Sequence, residues 1–290
     1  MEAGFSKNLQ EQCFAVIGLG LMGGSYAKAL RRAGVKNIIG VDTDKQVLKT
    51  ALAEGVIDGF YQNAGAYLSQ ADVIICCVYP EAVTEFLKQA APFIKRGALV
   101  TDVAGRKADL PYKAQQLMPE GAEFISGHPM AGRQGSGYAM SQAEVFDGAN
   151  YLIVPTEANS AEAVNWLRKF ALALGCGHVA EIAPAEHDKI IAYTSNLPHA
   201  LAVTLINSDR YSGKSCWFIG GGFRDVTRIA DINPVLWSDL FLQNGENVLN
   251  ELENFKQQLE TMQRLIAAGD REGLQSFLHA AACHRKDIVL

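Results

Sequence analysis

The most chemically suggestive spacing in the chain is Gly18-Leu19-Gly20-Leu21-Met22-Gly23, which matches GxGxxG. It follows the apolar run FAVI, residues 14–17, and opens a helical stretch, the context in which the pattern cradles a dinucleotide pyrophosphate. Gly18 permits a tight turn, Gly20 lets backbone approach the phosphates, and Gly23 lets the helix pack against the sheet. The start of that helix offers free N–H groups and a favourable dipole. Asp42 ends a second apolar run nineteen residues after Gly23. An acid there hydrogen-bonds the adenosine ribose and repels a 2′-phosphate, so the cofactor expected is NAD rather than NADP. The chemistry implied is hydride transfer.

Four polar clusters exceed what a fold needs. Thr101 to Lys107 follows one strand-like run, and the turn Ser126-Gly127-His128-Pro129-Met130-Ala131-Gly132 follows another. Ligands of open α/β sheets bind outside the carboxyl ends of strands, so both should flank a nicotinamide, and Asp102 is grouped with the cofactor residues. His128, between a glycine and a proline in a polar turn, makes a poor core histidine and a strong functional candidate. The third cluster is His187-Asp188 followed by Ser195-Asn196-Leu197-Pro198-His199. His187 could be an ordinary residue of a helix start, and His199 a hydrogen-bonded core histidine. The fourth, Gly220 to Arg228, sets Arg224 and Arg228 beside three glycines as an anion site; spacing alone does not choose between the arginines.

These residues must be held by elements that the apolar pattern outlines. Strand-like runs at 14–17, 38–42, 72–79, 98–103 and in EFISGHP and NYLIVP alternate with helical stretches, the signature of a parallel sheet covered on both faces. Asp44 reads as the N-cap of the helix beginning at Lys45. From Pro184 onward the pattern is almost entirely helical. The expected fold is α/β: an N-terminal Rossmann-like NAD(P)-binding domain over 1–183 and a second, all-helical domain over 184–290.

Composition narrows the classes. With 49% hydrophobic and 20% charged residues, the chain of 290 is not disordered and needs no staples to fold. A formal charge of -5 without a basic run argues against nucleic acid. Short apolar runs and a polar start argue against membrane insertion and for a cytoplasmic address. The six cysteines lack a CxxC spacing, and adjacent Cys76 and Cys77 in a strand point to opposite faces, so no metal is expected.

The fingerprint, GHPMAG, HDxxxAxxSNLPH and GGGFRDVTRIA followed by NPVLWSDL together resemble the prephenate dehydrogenase family of tyrosine biosynthesis, which includes arogenate and cyclohexadienyl dehydrogenases. The resemblance spans about residues 14–245. It implies an NAD-dependent oxidative decarboxylation of a small anionic substrate, a helical domain that forms a homodimer, and no room for the regulatory domain that some members append. It implies that His128 bonds the substrate ring hydroxyl, that Ser195, Asn196 and His199 line the substrate site, that Arg228 holds a carboxylate, and that Gln134 lies near the variable side chain. Two departures stand out. Ala104 and Gly105 replace the family's Gly-Ser pair, and Asn196 replaces a histidine. The alternatives are arogenate or dual use, a β-hydroxyacid or imine dehydrogenase with Lys189 as its catalytic lysine, and a nucleotide-binding sensor without catalysis.

Overall fold

The structure, a computed structural model, describes residues 8–132, 135–211 and 214–288. It divides into two compact units. One runs to Ile191 and takes back Asp231–Leu240; the other holds Ala192–Ala230 and the chain from Phe241.

The first unit is built from β1 (Cys13–Ile17), α1 (Leu21–Arg32), β2 (Asn37–Val41), α2 (Lys45–Ala53), β3 (Gly59–Tyr61), β4 (Val73–Cys76), α3 (Pro80–Ala90), β5 (Leu99–Asp102), α4 (Leu110–Gln116), β6 (Glu123–Met130), β7 (Asn150–Val154), α5 (Ala161–Leu174), β8 (His178–Glu181) and α6 (Pro184–Ile191). The strands form one sheet in the order β3-β2-β1-β4-β5-β6-β7-β8. Alternation along each strand feeds two cores. Phe14, Val16, Val73 and Ile75 join α1, α2 and α5 on one face. Ala15, Ile17, Ile74 and Cys76 join α3 and α4 on the other. Cys76 and Cys77 thus divide between the two faces, Cys76 buried and Cys77 partly buried, as small hydrophobes.

Local signals place the helices. Asp44 caps α2 by accepting the N–H groups of Gln46 and Val47. Ser160 caps α5, and Gly175, at φ +110°, ends it in the left-handed conformation that glycine adopts without cost. The structure adds β3 and α4, which were too short to show a period. It also corrects the all-parallel expectation, because β6 and β7 run antiparallel. His128 and Pro129 lie inside β6 rather than in a turn after it. β5 pairs with β6 only as far as Ser126, and beyond that β7 is the neighbour, so the missing N–H of Pro129 is tolerated.

The second unit is helical. A wide helical turn over Ala192–Asn196 leads into α7 (Leu197–Asn207), followed by α8 (Gly221–Thr227), a tight turn Arg228–Ala230, α9 (Pro234–Gln243, shared with the first unit), α10 (Gly245–Ala267) and α11 (Arg271–Ile288). α7 packs against the turn at Arg228–Ala230, and α10 against α11 and the wide turn. The helix α6, which the sequence pattern groups with the helical part, belongs by its contacts to the first unit.

Candidate active site

The parallel strands β1, β4, β5 and β6 end at one edge of the sheet, and the chemistry-bearing residues of the first unit collect there. The fingerprint forms a cradle. Gly18 sits at φ +83°, and a Cβ on it would lie 2.6 Å from Val78 Cγ1 and 2.7 Å from the Cys77 carbonyl oxygen. A Cβ on Gly23 would overlap the Gly18 carbonyl oxygen, so α1 starts directly on the turn. Gly20 is the N-cap of α1 without a side-chain cap, and a Cβ on it would meet nothing within 4 Å. The first N–H groups of α1 therefore open onto free space that fits a pyrophosphate. Leu19 is wholly buried, so only its backbone can take part; the side chains of Leu21 and Met22 are half-buried.

Asp42 is tied to this turn. Its Oδ2 accepts the Leu19 N–H at 2.6 Å and its Oδ1 the Asp44 N–H at 2.8 Å. Each oxygen retains a lone pair, enough for the two hydroxyls of a ribose diol. The residues present thus fit a dinucleotide.

Asp102 ends β5, as the sequence pattern places it, but its carboxylate is buried. Its side chain is 0% exposed, so it offers no surface to a cofactor. Its oxygens accept from Ser126 Oγ at 2.5 Å, Lys107 Nζ at 2.7 Å and the Ala104 N–H at 2.9 Å. Lys107, equally buried, donates its second bond to the Gly127 carbonyl at 2.7 Å. Burial pulls the Lys107 ammonium below its ordinary pKa, and Asp102 opposes that shift. The pair is an electrostatic brace beneath β6, one residue before His128.

His128 is half-buried and backed by two further groups. Its Nδ1 lies 2.9 Å from His187 Nε2, and His187 Nδ1 lies 2.8 Å from Asp188 Oδ1. His187 is fully buried. Asp188 also accepts the Lys107 N–H and the Ala108 N–H, each at 2.8 Å. Burial, the Lys107 charge and His187 hold the His128 imidazole well below its ordinary pKa. Burial likewise lowers His187, against the pull of Asp188. Burial pushes the Asp188 carboxyl up, but bonds from His187, Lys107 and Ala108 outweigh it and leave the group below the usual carboxylate range. Two neutral rings backed by a carboxylate make a base ready to take one proton.

In the second unit, His199 is half-buried and its Nδ1 donates to the Ser195 carbonyl at 2.8 Å, since a carbonyl can only accept. Burial lowers the His199 pKa, and the nearby Arg228 charge lowers it further. Ser195, His199 and Arg228 are thus brought together within this unit. Asn196 is buried, and its Oδ1 accepts from Asn244 Nδ2 at 3.1 Å, fastening the wide turn to the start of α10. Gln134 lies outside the described residues.

Sequence reasoning gave too little weight to His187, Asp188 and Lys107. The adjacent His-Asp pair at a helix start was the available signal, because a histidine there is disfavoured unless a partner holds it. No local signal marks Lys107, since lysine is rarely buried.

A dinucleotide cradle and a partnered, neutral imidazole at the same edge of a Rossmann-type sheet define an NAD(P)-binding oxidoreductase. The model of the prephenate dehydrogenase nucleotide-binding domain matches residues 26–180, and that of the prephenate dehydrogenase dimerization domain matches residues 183–280. The chain belongs to the prephenate dehydrogenase family. It is 30% identical over 289 residues to prephenate dehydrogenase of Bacillus subtilis, covering 98% of this chain and 78% of that protein. It is similar to the structure of A. aeolicus prephenate dehydrogenase in complex with hydroxyphenyl propionate and NAD+, with a TM-score of 0.87, 30% identity and coverage of 98% and 100% of the two chains. Synechocystis arogenate dehydrogenase follows, with a TM-score of 0.82, 29% identity and coverage of 95% and 99%.

Proposed function

We propose that the chain is an NAD-dependent prephenate dehydrogenase that converts prephenate to 4-hydroxyphenylpyruvate and CO2. The observation that carries this reading is the half-buried His128, held neutral at the sheet edge that also carries the dinucleotide cradle. Bound NAD supplies a hydride acceptor for the hydrogen on ring C4. His128 takes the proton of the ring 4-hydroxyl as that hydride leaves. Loss of the ring carboxylate as CO2 returns electrons to the ring, which becomes aromatic, and His128 gives the same proton back to the ring oxygen. The Asp42 carboxylate and the open start of α1 hold the cofactor, with the acid favouring NAD over NADP. Arg228 binds a substrate carboxylate through its planar fork, with His199 and Ser195 beside it.

Arogenate, which carries an ammonium group on the side chain, is the second reading. The likeness to the Synechocystis arogenate dehydrogenase supports it. A homodimer is part of the proposal. The second unit leaves Trp217 86% and Phe218 87% exposed, with Leu242 and Leu249 also outward, more apolar surface than an isolated helical unit leaves to water. The deciding experiment is a steady-state comparison of prephenate and arogenate, each with NAD+ and NADP+. The reading requires NADH formation and CO2 release with prephenate and NAD+. No turnover with either substrate, in protein that still binds NAD, would leave a nucleotide-binding sensor instead.

A further inference from the structure

Resting on the reading of His128 as a dehydrogenase base, we infer that Asp188 and His187 are positioning residues that fix which nitrogen of His128 is bare. Two backbone N–H groups set the direction of the chain of hydrogen bonds. Lys107 N–H donates to Asp188 Oδ1 and Ala108 N–H to Oδ2, each at 2.8 Å. A backbone N–H can only donate, so both carboxylate oxygens must accept. His187 Nδ1, 2.8 Å from Oδ1, therefore carries the hydrogen. A neutral ring protonated at Nδ1 has a bare Nε2. That atom lies 2.9 Å from His128 Nδ1, which must in turn donate. His128 Nε2 is left as the free base.

Gly105 flanks the bare nitrogen. A Cβ built on Gly105 would stand 3.8 Å from His128 Nε2 and 3.8 Å from Leu240 Cδ2, so glycine at this position leaves room beside the base. The turn that supplies the two N–H groups is strained. Ala108 has φ +28°, a conformation that residues with a Cβ rarely adopt, and among the described residues it is the one non-glycine with positive φ. Such strain persists where the surroundings over-determine it, and here the Asp188 carboxylate grips both adjacent amides. The charged and titratable groups that face His128 fit the same scheme. They are Lys107, neutralised by Asp102, and His187, backed by Asp188. Protonation of His187 would remove the acceptor for His128 Nδ1–H and set a cation beside Lys107.

The test is 15N NMR of histidine-labelled protein without nucleotide or substrate. The expected result is Nδ1–H with bare Nε2 in both His128 and His187. His128 protonated at Nε2 overturns the inference. In Asp188→Asn an amide nitrogen must face at least one of the donors now paired with the carboxylate. His128 should then show mixed tautomers, with turnover lowered by about 100- to 10,000-fold, the scale of a base held in the wrong tautomer, and unchanged affinity for NAD. Should that variant fail to fold, His187→Gln and His187→Leu replace it. Glutamine can accept from His128 Nδ1–H and leucine cannot. The glutamine variant should keep at least about tenfold more turnover at matched melting temperature, a margin within the usual contribution of acid–base catalysis. Equal turnover in the two contradicts the inference. The two readings fail separately. Turnover with His128 protonated at Nε2 removes only the positioning role. The expected tautomers without turnover remove only the dehydrogenase reading.

Discussion

Replacing Lys107 with methionine removes half of an ion pair whose side chains are both 0% exposed. Methionine fills a similar volume but donates nothing. Asp102 would keep the Ser126 hydroxyl at 2.5 Å and the Ala104 N–H at 2.9 Å, and would lose its counter-charge. The Gly127 carbonyl would lose its 2.7 Å partner. Breaking a buried pair from one side costs roughly 3–5 kcal/mol, chiefly because the remaining charge is stranded. For a unit of this size, that lowers the melting temperature by roughly 6–20 °C at about 2–4 °C per kcal/mol. Adding Asp102→Asn removes the stranded charge, so the double variant should recover roughly 2 kcal/mol over the single one. Urea unfolding of wild type, both single variants and the double variant gives the coupling directly. A cost below about 1 kcal/mol for Lys107→Met, or a double variant no more stable than the single, would refute the claim that this brace is electrostatic.

Three further outcomes follow. Gly23→Ala forces a methyl group into the Gly18 carbonyl, which is backbone and cannot yield. It should weaken NAD binding measured by calorimetry at least tenfold, equivalent to about 1.4 kcal/mol; unchanged affinity would move the nucleotide away from this turn. Folding stability should depend on pH through His128, His187 and His199, all held below their ordinary pKa. As pH falls below about 6.5 the unfolded chain binds protons first, so stability is full above that value and lost toward the lower folded values. Urea midpoints that rise on acidification from pH 7 to about pH 5 would contradict this. Lys107 is also one of the groups that depress His128. The acid limb of the activity profile, where a protonated base stops working, should therefore shift to higher pH in folded Lys107→Met, and a shift to lower pH would reverse the assigned sign.

What was legible in the chain was what is local. The glycine spacing, the strand before it and Asp42 after it fall within one β-α-β unit, and the folded turn joins Asp42 to Leu19 by a direct hydrogen bond. His128 was legible by residue type alone, because its neighbours Gly127 and Pro129 suit neither a helix nor a core. The support behind it was not, because it is assembled from β5, β6 and α6. Asp188 meets the Lys107 amide from 81 positions away, and no periodicity encodes that contact. Asp102 misled for a related reason. The end of a central strand is where a ligand binds, yet its carboxylate is consumed by a lysine five residues on. Asn196 was marked by its place in a motif, whereas its oxygen serves the joint with Asn244. The antiparallel β6–β7 pair was hidden because both strands read as apolar runs whose direction the sequence leaves open.

The central claim is that His128 is the base of an NAD-dependent oxidation. The most direct measurement is NADH formation from prephenate by wild type and His128→Asn, with NAD affinity determined separately on each. The account predicts rapid NADH formation by the wild type, a fall in turnover of about 100-fold or more in the variant, and NAD affinity unchanged within about twofold. Turnover that survives the substitution, or that falls only in step with lost NAD binding, would contradict it.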